Sequence, residues 1–586
     1  MSVKVSVSDV EIVPTVQQEI RNSVEPTPGC SSWVNPDELS EAECSGEILV
    51  DRSMIDTSAT DDRSDDFACF ALASVDDLSY EEALNGPESK FWKVAIDEEL
   101  KAMEVKDVWY PVSESSVKGE NYSKVDSKWV LKKKINSNGG VKYKARLVLR
   151  GFKDNHYYEL DEIYAPTPNQ PIIRSMLNLA VVNRWQLRQL DVSTAFLNGD
   201  INRNIMFNPP KGTNERSGIV YVLKRSLYGL KTSPKSWNAK LNSYLLSLGF
   251  TRSKVDPCVY FDSENPLRCV FVVYVDDFLI TGCDVRLIDW LVKRLNERFG
   301  IRDLEQCKKF IGMEIERSEN QLEIHQNTYI QQLVNDYGLA NSNSISTPIE
   351  PNLKITNLKL DKNFETKVRG LLGSLSYIAR GTRPDIAFAV NFLSRYQHLA
   401  NKELFEYSKR ILRYLRSTLN VKITYVVPEY VDRHSVRVFV DSDFAGDSLD
   451  RKSTSGIFVL HYGNVIDWCV KKQNCVSLSS CEAEYVALSA SGKEVLAWRN
   501  LFVELGVRID TIPVYCDSNA AIAVANTVES KRTRHIDVSY HHVRDLISKN
   551  IIYLQKVSSA DQLADLLTKA TTHTVFERLC NTLYRA

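Results

Sequence analysis

The feature that most constrains this chain is a pair of adjacent aspartates, Asp276 and Asp277, enclosed by two apolar runs. The segment reads CVFVVYVDDFLITGC, which predicts two buried strands joined at the aspartates. Carboxylates beside a core cost several kcal/mol unless they are paired or bound to a metal. The segment contains no cationic residue, and divalent cations prefer carboxylate ligands. It therefore predicts a divalent-metal site, with an exposed surface turn as the alternative.

A third carboxylate, Asp191, ends the predicted strand in WQLRQLDVSTAFLNGD. Three carboxylates on neighbouring strand ends can hold two divalent ions, which activate a primer 3′-hydroxyl and stabilise the leaving pyrophosphate. Asp191, Asp276 and Asp277 therefore form a candidate two-ion site.

A basic hairpin is predicted upstream, where two alternating strands flank Asn138-Gly139-Gly140 in KWVLKKKINSNGGVKYKARLVLRGF. Alternation places the basic residues of each strand on one face: Lys128, Lys132 and Lys134 on the first strand, and Lys142, Lys144 and Arg146 on the second. We predict that Lys144 and Arg146 bind the triphosphate through charge-assisted hydrogen bonds. The alternative is a solvated edge that lysines keep soluble.

A second set of acids follows residue 431, in a stretch of strands and helices that predicts a mixed sheet. The acids lie at the ends or faces of separate elements, an arrangement that suits two-metal phosphodiester hydrolysis. They are Asp441, Glu484, Asp517 and Asp565. Asp443 competes with Asp441, but Asp441 directly follows the apolar strand. Glu482 fits a capping box with Ser479, which leaves Glu484 for the metal.

Charge and composition limit the partners and the cellular compartment that we expect for the chain. The formal net charge is −2, yet residues 1–80 carry −13 and the remainder +11, which indicates a polyanionic partner. No apolar stretch approaches about 18 residues, so no membrane span is predicted. The N-terminus lacks an apolar signal core, and we expect a cytoplasmic or nuclear protein that is not secreted. The 12 cysteines form no CxxC pair, which argues against a zinc knuckle.

Six blocks in order resemble copia-type reverse transcriptases: KARLVLRGF, LDVSTAFLNGD, SLYGLKTSPKSW, YVDDFLITG, FIGMEI and RGTRPDIAFAVNFLSR. The resemblance implies that Asp191, Asp276 and Asp277 are the catalytic aspartates. It also implies that Phe196 is a steric gate whose ring excludes a ribose 2′-hydroxyl, and that Gly229 contributes to substrate binding. The alternatives are a core role for Phe196 and a packing role for Gly229.

The C-terminal blocks VDSDFAGD, SLSSCEAEYVALS, VYCDSNAAIA and QLADLLTK resemble the ribonuclease H domain of the same elements. This resemblance implies that Asp441, Glu484, Asp517 and Asp565 are metal-binding acids that cut RNA in an RNA–DNA hybrid.

The predicted fold class is α+β, a right-hand polymerase followed by a ribonuclease H-like mixed α/β domain. The expected divisions are an acidic disordered tail, fingers and palm, a helical thumb or connection, and the ribonuclease H-like domain. Their ranges are 1–75, 76–325, 326–430 and 431–586. Within these ranges, helices are predicted for residues 81–104, for residues 226–249 and for the segment ADQLADLLTKA, residues 560–570.

The predicted function is RNA-directed DNA polymerisation with ribonuclease H activity, using two-ion Mg²⁺ sites that Mn²⁺ could also fill. The expected partners are an RNA template, a DNA primer, an RNA–DNA hybrid and dNTPs, with no membrane and the oligomeric state left open. One alternative is a catalytically idle, host-retained nucleic-acid-binding remnant of such an element. Another is a host metal-dependent nuclease, which explains the second set of acids but not YVDD.

Overall fold

The structure is a computed structural model that describes residues 78–117, 121–135, 140–213, 217–351, 353–355, 358–428, 435–527 and 538–584. These residues belong to one compact unit, Asp77–Ala586. The tail predicted for residues 1–75 lies outside the described residues, as do the turn residues Asn138 and Gly139. Helices and antiparallel-rich sheets are mixed along the described chain, which confirms the α+β class.

The first part of the described chain is built around the predicted basic hairpin, whose strands pair from Ser127↔Leu149 to Ile135↔Val141. Its elements are α1 (Tyr80–Asn85), α2 (Ser89–Val105), β1 (Trp109–Ser113), α3 (Glu114–Val117), β2 (Ser123–Lys124), β3 (Ser127–Ile135), β4 (Val141–Leu149) and α4 (Leu160–Ile163). The single amphipathic helix predicted for residues 81–104 is wrong. Gly86 and Pro87 divide it into α1 and α2, because proline lacks the amide hydrogen that a continuous helix needs.

The second part contains a six-stranded sheet in the order β12-β5-β11-β10-β9-β8. Its elements are α5 (Gln170–Val182), β5 (Gln186–Val192), β6 (Ile205–Phe207), β7 (Ile219–Leu223), α6 (Ser233–Ser247), β8 (Phe250–Arg252), β9 (Val259–Asp262), β10 (Val270–Tyr274), β11 (Asp277–Gly282), α7 (Val285–Phe299) and β12 (Ile301–Asp303). The helix predicted for residues 226–249 is wrong before Ser233. Gly229 has φ +89°, and the Ser233 hydroxyl donates to Leu227 O at 2.7 Å, so the preceding residues form a turn.

The third part is mostly helical, as predicted, although the described residues between 337 and 361 contain no helix. The strand that precedes its helices, β15, pairs with the strand that follows them, β16, so the two ends of this part meet in one small sheet. The elements are β13 (Lys309–Phe310), β14 (Met313–Arg317), β15 (Gln321–His325), α8 (Asn327–Asp336), α9 (Lys362–Gly381), α10 (Ala387–Ser394), α11 (Lys402–Ser417) and β16 (Ile423–Val426).

The last part is a five-stranded mixed sheet in the order β19-β18-β17-β20-β21, with helices packed on it. Its elements are β17 (Val436–Ser442), β18 (Thr454–His461), β19 (Asn464–Lys472), α12 (Ser480–Glu504), β20 (Ile512–Cys516), α13 (Asn519–Asn526), α14 (His542–Ser548), β21 (Ile552–Lys556) and α15 (His573–Tyr584).

The final helix predicted at ADQLADLLTKA is wrong, since only a 3₁₀ turn, Leu563–Leu567, forms there. The Gln562 side chain donates to Val440 O at 2.8 Å, and the Thr568 hydroxyl donates to Asp441. These bonds hold both ends of the segment against β17, which leaves no room for a longer helix.

One hydrophobic core runs from α5 through the helical part into the C-terminal sheet. Arg174 of α5 is buried within it and donates to Ile466 O, Arg380 O and Gly381 O. Its guanidinium also lies 3.8 Å from the centre of the Trp468 ring. The core is therefore continuous across the boundaries predicted after residues 325 and 430, and those domain limits stay predictions.

Candidate active sites

The tip of the β10–β11 hairpin brings two of the predicted aspartates together. Asp277, the first residue of β11, lies directly opposite Asp191 at the end of β5. Val275 takes φ +52° in the turn, and its carbonyl accepts a hydrogen bond of 2.7 Å from the buried Trp237 indole. Val192 N donates to Asp276 O at 2.9 Å. Hydrogen bonds from one residue of α6 and one residue of β5 thus hold the turn in place.

Burial and charges of both signs act on the pKa of Asp276. Burial raises the pKa of Asp276, the positive charge of Arg146 opposes this, and the nearby Asp191 raises it further. Lys144 also lowers the pKa of Asp276, so the predicted basic face is directed towards the acids. The register agrees, because Lys144 pairs with Lys132 on the same face of the hairpin. Lys134, assigned to this face from the sequence, has a side chain outside the described residues.

Phe196 and Gly229 both adjoin Tyr228: Phe196 contacts its ring, and Gly229 is the next residue in the chain. Phe196 is half-buried in the 3₁₀ turn Ala195–Asn198, and its ring meets that of Tyr228 edge-on at 5.2 Å. A Cβ added to Gly229 would lie 2.0 Å from Leu149 O, so this glycine allows the chain to approach β4. This contact supports the packing role for Gly229, and its contribution to substrate binding stays a prediction.

The second set of acids converges at one end of the C-terminal sheet. Asp441 lies on the central strand β17, Glu484 in the first turns of α12, Asp517 just after β20 and Asp565 in the 3₁₀ turn. Asp441 is 1% exposed, and Glu484 and Asp565 are each 6% exposed.

These acids raise one another's pKa values. Burial, Asp441 and Asp517 raise the pKa of Glu484 well above its usual range, and burial together with Asp441 raises that of Asp565. Such a set of buried carboxylates fits a hard divalent cation such as Mg²⁺ or Mn²⁺.

Three side chains in this second site were missed by sequence reasoning. Lys569 Nζ lies 2.7 Å from Asp565 Oδ1 and 3.7 Å from Asp441 Oδ2, which partly neutralises the acids. The four-residue spacing from Asp565 was a usable signal. Cys516 lies 3.9 Å from Glu484 Oε2, and no local pattern distinguished it from a core cysteine. The third, Thr568, donates to Asp441.

The two sites differ in how tightly the ligand atoms are grouped. In the described part of the chain, only Glu484, Cys516 and Asp517 bring three ligand atoms within 4.8 Å of one another. The carboxylates of Asp191, Asp276 and Asp277 are therefore more widely spaced than that.

The two competing acids have other partners. Asp443 accepts a hydrogen bond from Thr454 N, and burial raises its pKa to about 6. Ser479 is the N-cap of α12, since its hydroxyl accepts from Glu482 N at 3.2 Å. The Glu482 carboxylate accepts from Leu478 N at 2.8 Å and not from Ser479 N, so only the Ser479 half of the predicted capping box forms.

No helix among the described residues is long and apolar enough to cross a membrane.

The comparisons with known proteins agree with one another on the family. Residues 108–351 match the family described as reverse transcriptase (RNA-dependent DNA polymerase). The chain is 36% identical over 520 residues to the retrovirus-related Pol polyprotein from transposon TNT 1-94 of Nicotiana tabacum, covering 86% of this chain and 38% of that protein. It is 35% identical over 507 residues to the corresponding polyprotein from transposon RE1 of Arabidopsis thaliana, covering 85% and 34%.

Two further similarities are with a shorter protein and with a solved structure. An uncharacterised mitochondrial protein of Arabidopsis thaliana is 33% identical over 237 residues, covering 39% of this chain and 92% of that protein. The solved foamy viral protease-reverse transcriptase in complex with double-stranded DNA has a TM-score of 0.42 and 13% identity, covering 80% of this chain and 70% of that one. The chain thus spans less than two fifths of the two transposon polyproteins it matches.

Proposed function

Because this chain belongs to the family of copia-type Pol polyproteins, we propose that it is an RNA-directed DNA polymerase that extends a DNA primer on an RNA template. The observation that carries the proposal is the pairing of Asp191 with Asp277 beside the half-buried Asp276, opposite a basic hairpin face. The three carboxylates and the basic side chains of the hairpin therefore face the same space, as binding of a metal-bound triphosphate requires.

The chain's own residues divide the work of nucleotide addition. Asp191, Asp276 and Asp277 would hold the metal ions, and a bound Mg²⁺ or Mn²⁺ pair would activate the primer hydroxyl and neutralise the leaving pyrophosphate. Lys144 and Arg146 bind the triphosphate oxygens of the incoming dNTP as cationic donors. The Phe196 ring occupies the space that a ribose 2′-hydroxyl would need.

We propose ribonuclease H activity as a second function of the same chain, directed at the RNA strand of an RNA–DNA hybrid. It is supported by the four acids from separate elements, two of which have strongly raised pKa values. Asp441, Glu484, Asp517 and Asp565 would hold the ions, and Lys569 limits the mutual repulsion of Asp441 and Asp565 in their absence.

The test is an assay of the purified full chain with Mg²⁺, dNTPs and an RNA template annealed to a labelled DNA primer. We expect primer extension that depends on the template and stops with a metal chelator. A second assay with a labelled RNA–DNA hybrid should release short RNA fragments, while the same RNA as a single strand stays intact.

The competing function is binding of nucleic acid without catalysis. A folded protein that binds the primed template but neither extends the primer nor cuts the hybrid would establish that function instead. The presence of all seven acids favours the enzyme, because a protein that only binds nucleic acid has no need to place these carboxylates together.

A further inference from the structure

Tyr228 contacts two side chains to which the proposed function gives different tasks. Its ring meets Phe196, the proposed gate against a ribose hydroxyl, at a centroid distance of 5.2 Å and an angle of 68°. The Arg146 guanidinium, a proposed triphosphate donor, lies 4.9 Å from the centre of the same ring. Tyr228 is 4% exposed, so its ring is enclosed between these neighbours.

The backbone fixes where this ring lies relative to the basic hairpin. Leu149 N donates to Tyr228 O at 2.8 Å, and Gly151 N donates to Gly229 O at 3.2 Å. Gly229 has φ +89° and no space for a Cβ against Leu149. The tyrosine is therefore bound to the end of β4, three residues beyond Arg146.

We propose that Tyr228 is a positioning residue for nucleotide selection, whose ring holds the Phe196 gate and the Arg146 guanidinium at a fixed separation. This inference rests on the proposed polymerase function. An aromatic ring suits both neighbours, because its face attracts a guanidinium and its contact with a second ring favours an edge-on geometry. Sugar selection and triphosphate binding are then linked through one side chain.

The ring carries this role, and the hydroxyl group does not. Burial raises the pKa of Tyr228, and the carboxylates of Glu99, Asp276 and Asp191 act in the same direction. The side chain stays neutral at physiological pH, so it adds no charge to the site. Replacing it with phenylalanine keeps both ring contacts.

The experiment measures single-nucleotide insertion by the full chain on a primed RNA template, with a dNTP and with the matching rNTP. For Tyr228→Phe we expect the ratio of the two kcat/KM values to stay within about twofold of the parent protein. For Tyr228→Ala we expect discrimination against the rNTP to fall about fivefold to tenfold, as the loss of one aromatic pair predicts. The KM for dNTP should rise as well, because Arg146 loses its support.

Tyr260 provides a matched control in the same part of the molecule. It is 1% exposed, lies 6.4 Å from the Phe271 ring and has Arg252 5.9 Å from its ring centre. Tyr260→Ala should lower the melting temperature as Tyr228→Ala does, without changing sugar discrimination. Equal changes in discrimination for both variants would overturn the proposal, because general loosening would then explain them.

A double-mutant cycle tests the link to Arg146 even where Tyr228→Ala is unstable. If the contact matters, Tyr228→Leu and Arg146→Ala together should lose less dNTP affinity than the product of the two single losses. Independent effects would contradict the proposal. Failure of the proposed function is a separate result, since the parent protein itself would then add no nucleotide.

Discussion

Asp191 lies directly opposite Asp277 in the antiparallel pairing of β5 and β11, although 85 residues separate them in the chain. Residue pairs in this position have neighbouring side chains, and like charges there are unfavourable without a counter-ion. The C-terminal acids repeat the arrangement, with Asp441 and Asp517 next to Glu484. At the C-terminal site the ionised form of Glu484 therefore weakens the fold while no cation is bound.

Glu484→Gln should stabilise the metal-free protein. Since the folded-state pKa of Glu484 is raised, its contribution to stability is lost as pH rises from the unfolded value of about 4.5 towards the folded one. Glutamine is neutral throughout, so we expect a gain of more than about 1 kcal/mol at pH 7 that disappears below about pH 4.5. Urea unfolding in a chelator at both pH values measures it, and a loss of stability at pH 7 would contradict the assignment.

Gly229→Ala should impair primer extension far more than hybrid cleavage. The new Cβ would lie 2.0 Å from Leu149 O, which forces β4 and Arg146 to move. Gly249→Ala is the control, because Gly249 has φ +88° with nothing within 4 Å of the new Cβ. Both variants share the cost of positive φ, about 1 kcal/mol. Rates of both reactions for the two variants test this, and equal losses of extension would show that φ alone is responsible.

His461→Gln should remove part of the protein's sensitivity to acid. Burial lowers the pKa of His461 to about 3, so this residue contributes stability above the unfolded value of 6.5, and the contribution is lost as pH falls towards 3. Between pH 7 and pH 5 the parent should lose about 2 kcal/mol more than the variant. Urea unfolding of both proteins at each pH provides the comparison, and parallel losses would mean that His461 titrates normally.

Arg174→Met should destabilise the junction between α5 and the C-terminal sheet. The substitution removes the hydrogen bonds that Arg174 donates to the carbonyls of Ile466, Arg380 and Gly381, of which those to Ile466 and Gly381 are buried. We expect a loss of about 3–5 kcal/mol in the free energy of unfolding, typical of breaking a buried charged network. Arg268→Met removes a more exposed arginine with ion pairs and should cost less than about 1 kcal/mol. Similar losses from both would contradict the structural role of Arg174.

The polymerase acids could be predicted from sequence because the signal is local. Asp276 and Asp277 follow an apolar run that has to be a buried strand, and Asp191 ends another. The structure confirms the pairing of these strands, while metal binding by the three residues stays a prediction. Alternation also placed Lys144 and Arg146 on one face, since the period of a strand is independent of tertiary contacts.

Contacts between distant segments had no such signal. The pairing of Asn178 with His461 joins residues 283 positions apart, and no periodic pattern records it. The segment ADQLADLLTKA has a helical pattern, yet bonds from Gln562 and Thr568 to β17 keep it a 3₁₀ turn. Tertiary hydrogen bonds thus override local propensity in this segment.

The most direct test of the account compares Asp276→Asn and Asp517→Asn in the two assays, primer extension and hybrid cleavage. Asp276→Asn should reduce extension at least about 100-fold and leave hybrid cleavage intact, and Asp517→Asn should do the reverse, because each removes a ligand from one ion site. Retained extension in Asp276→Asn, or loss of both activities in either folded variant, would contradict the claim of two separate metal-dependent sites.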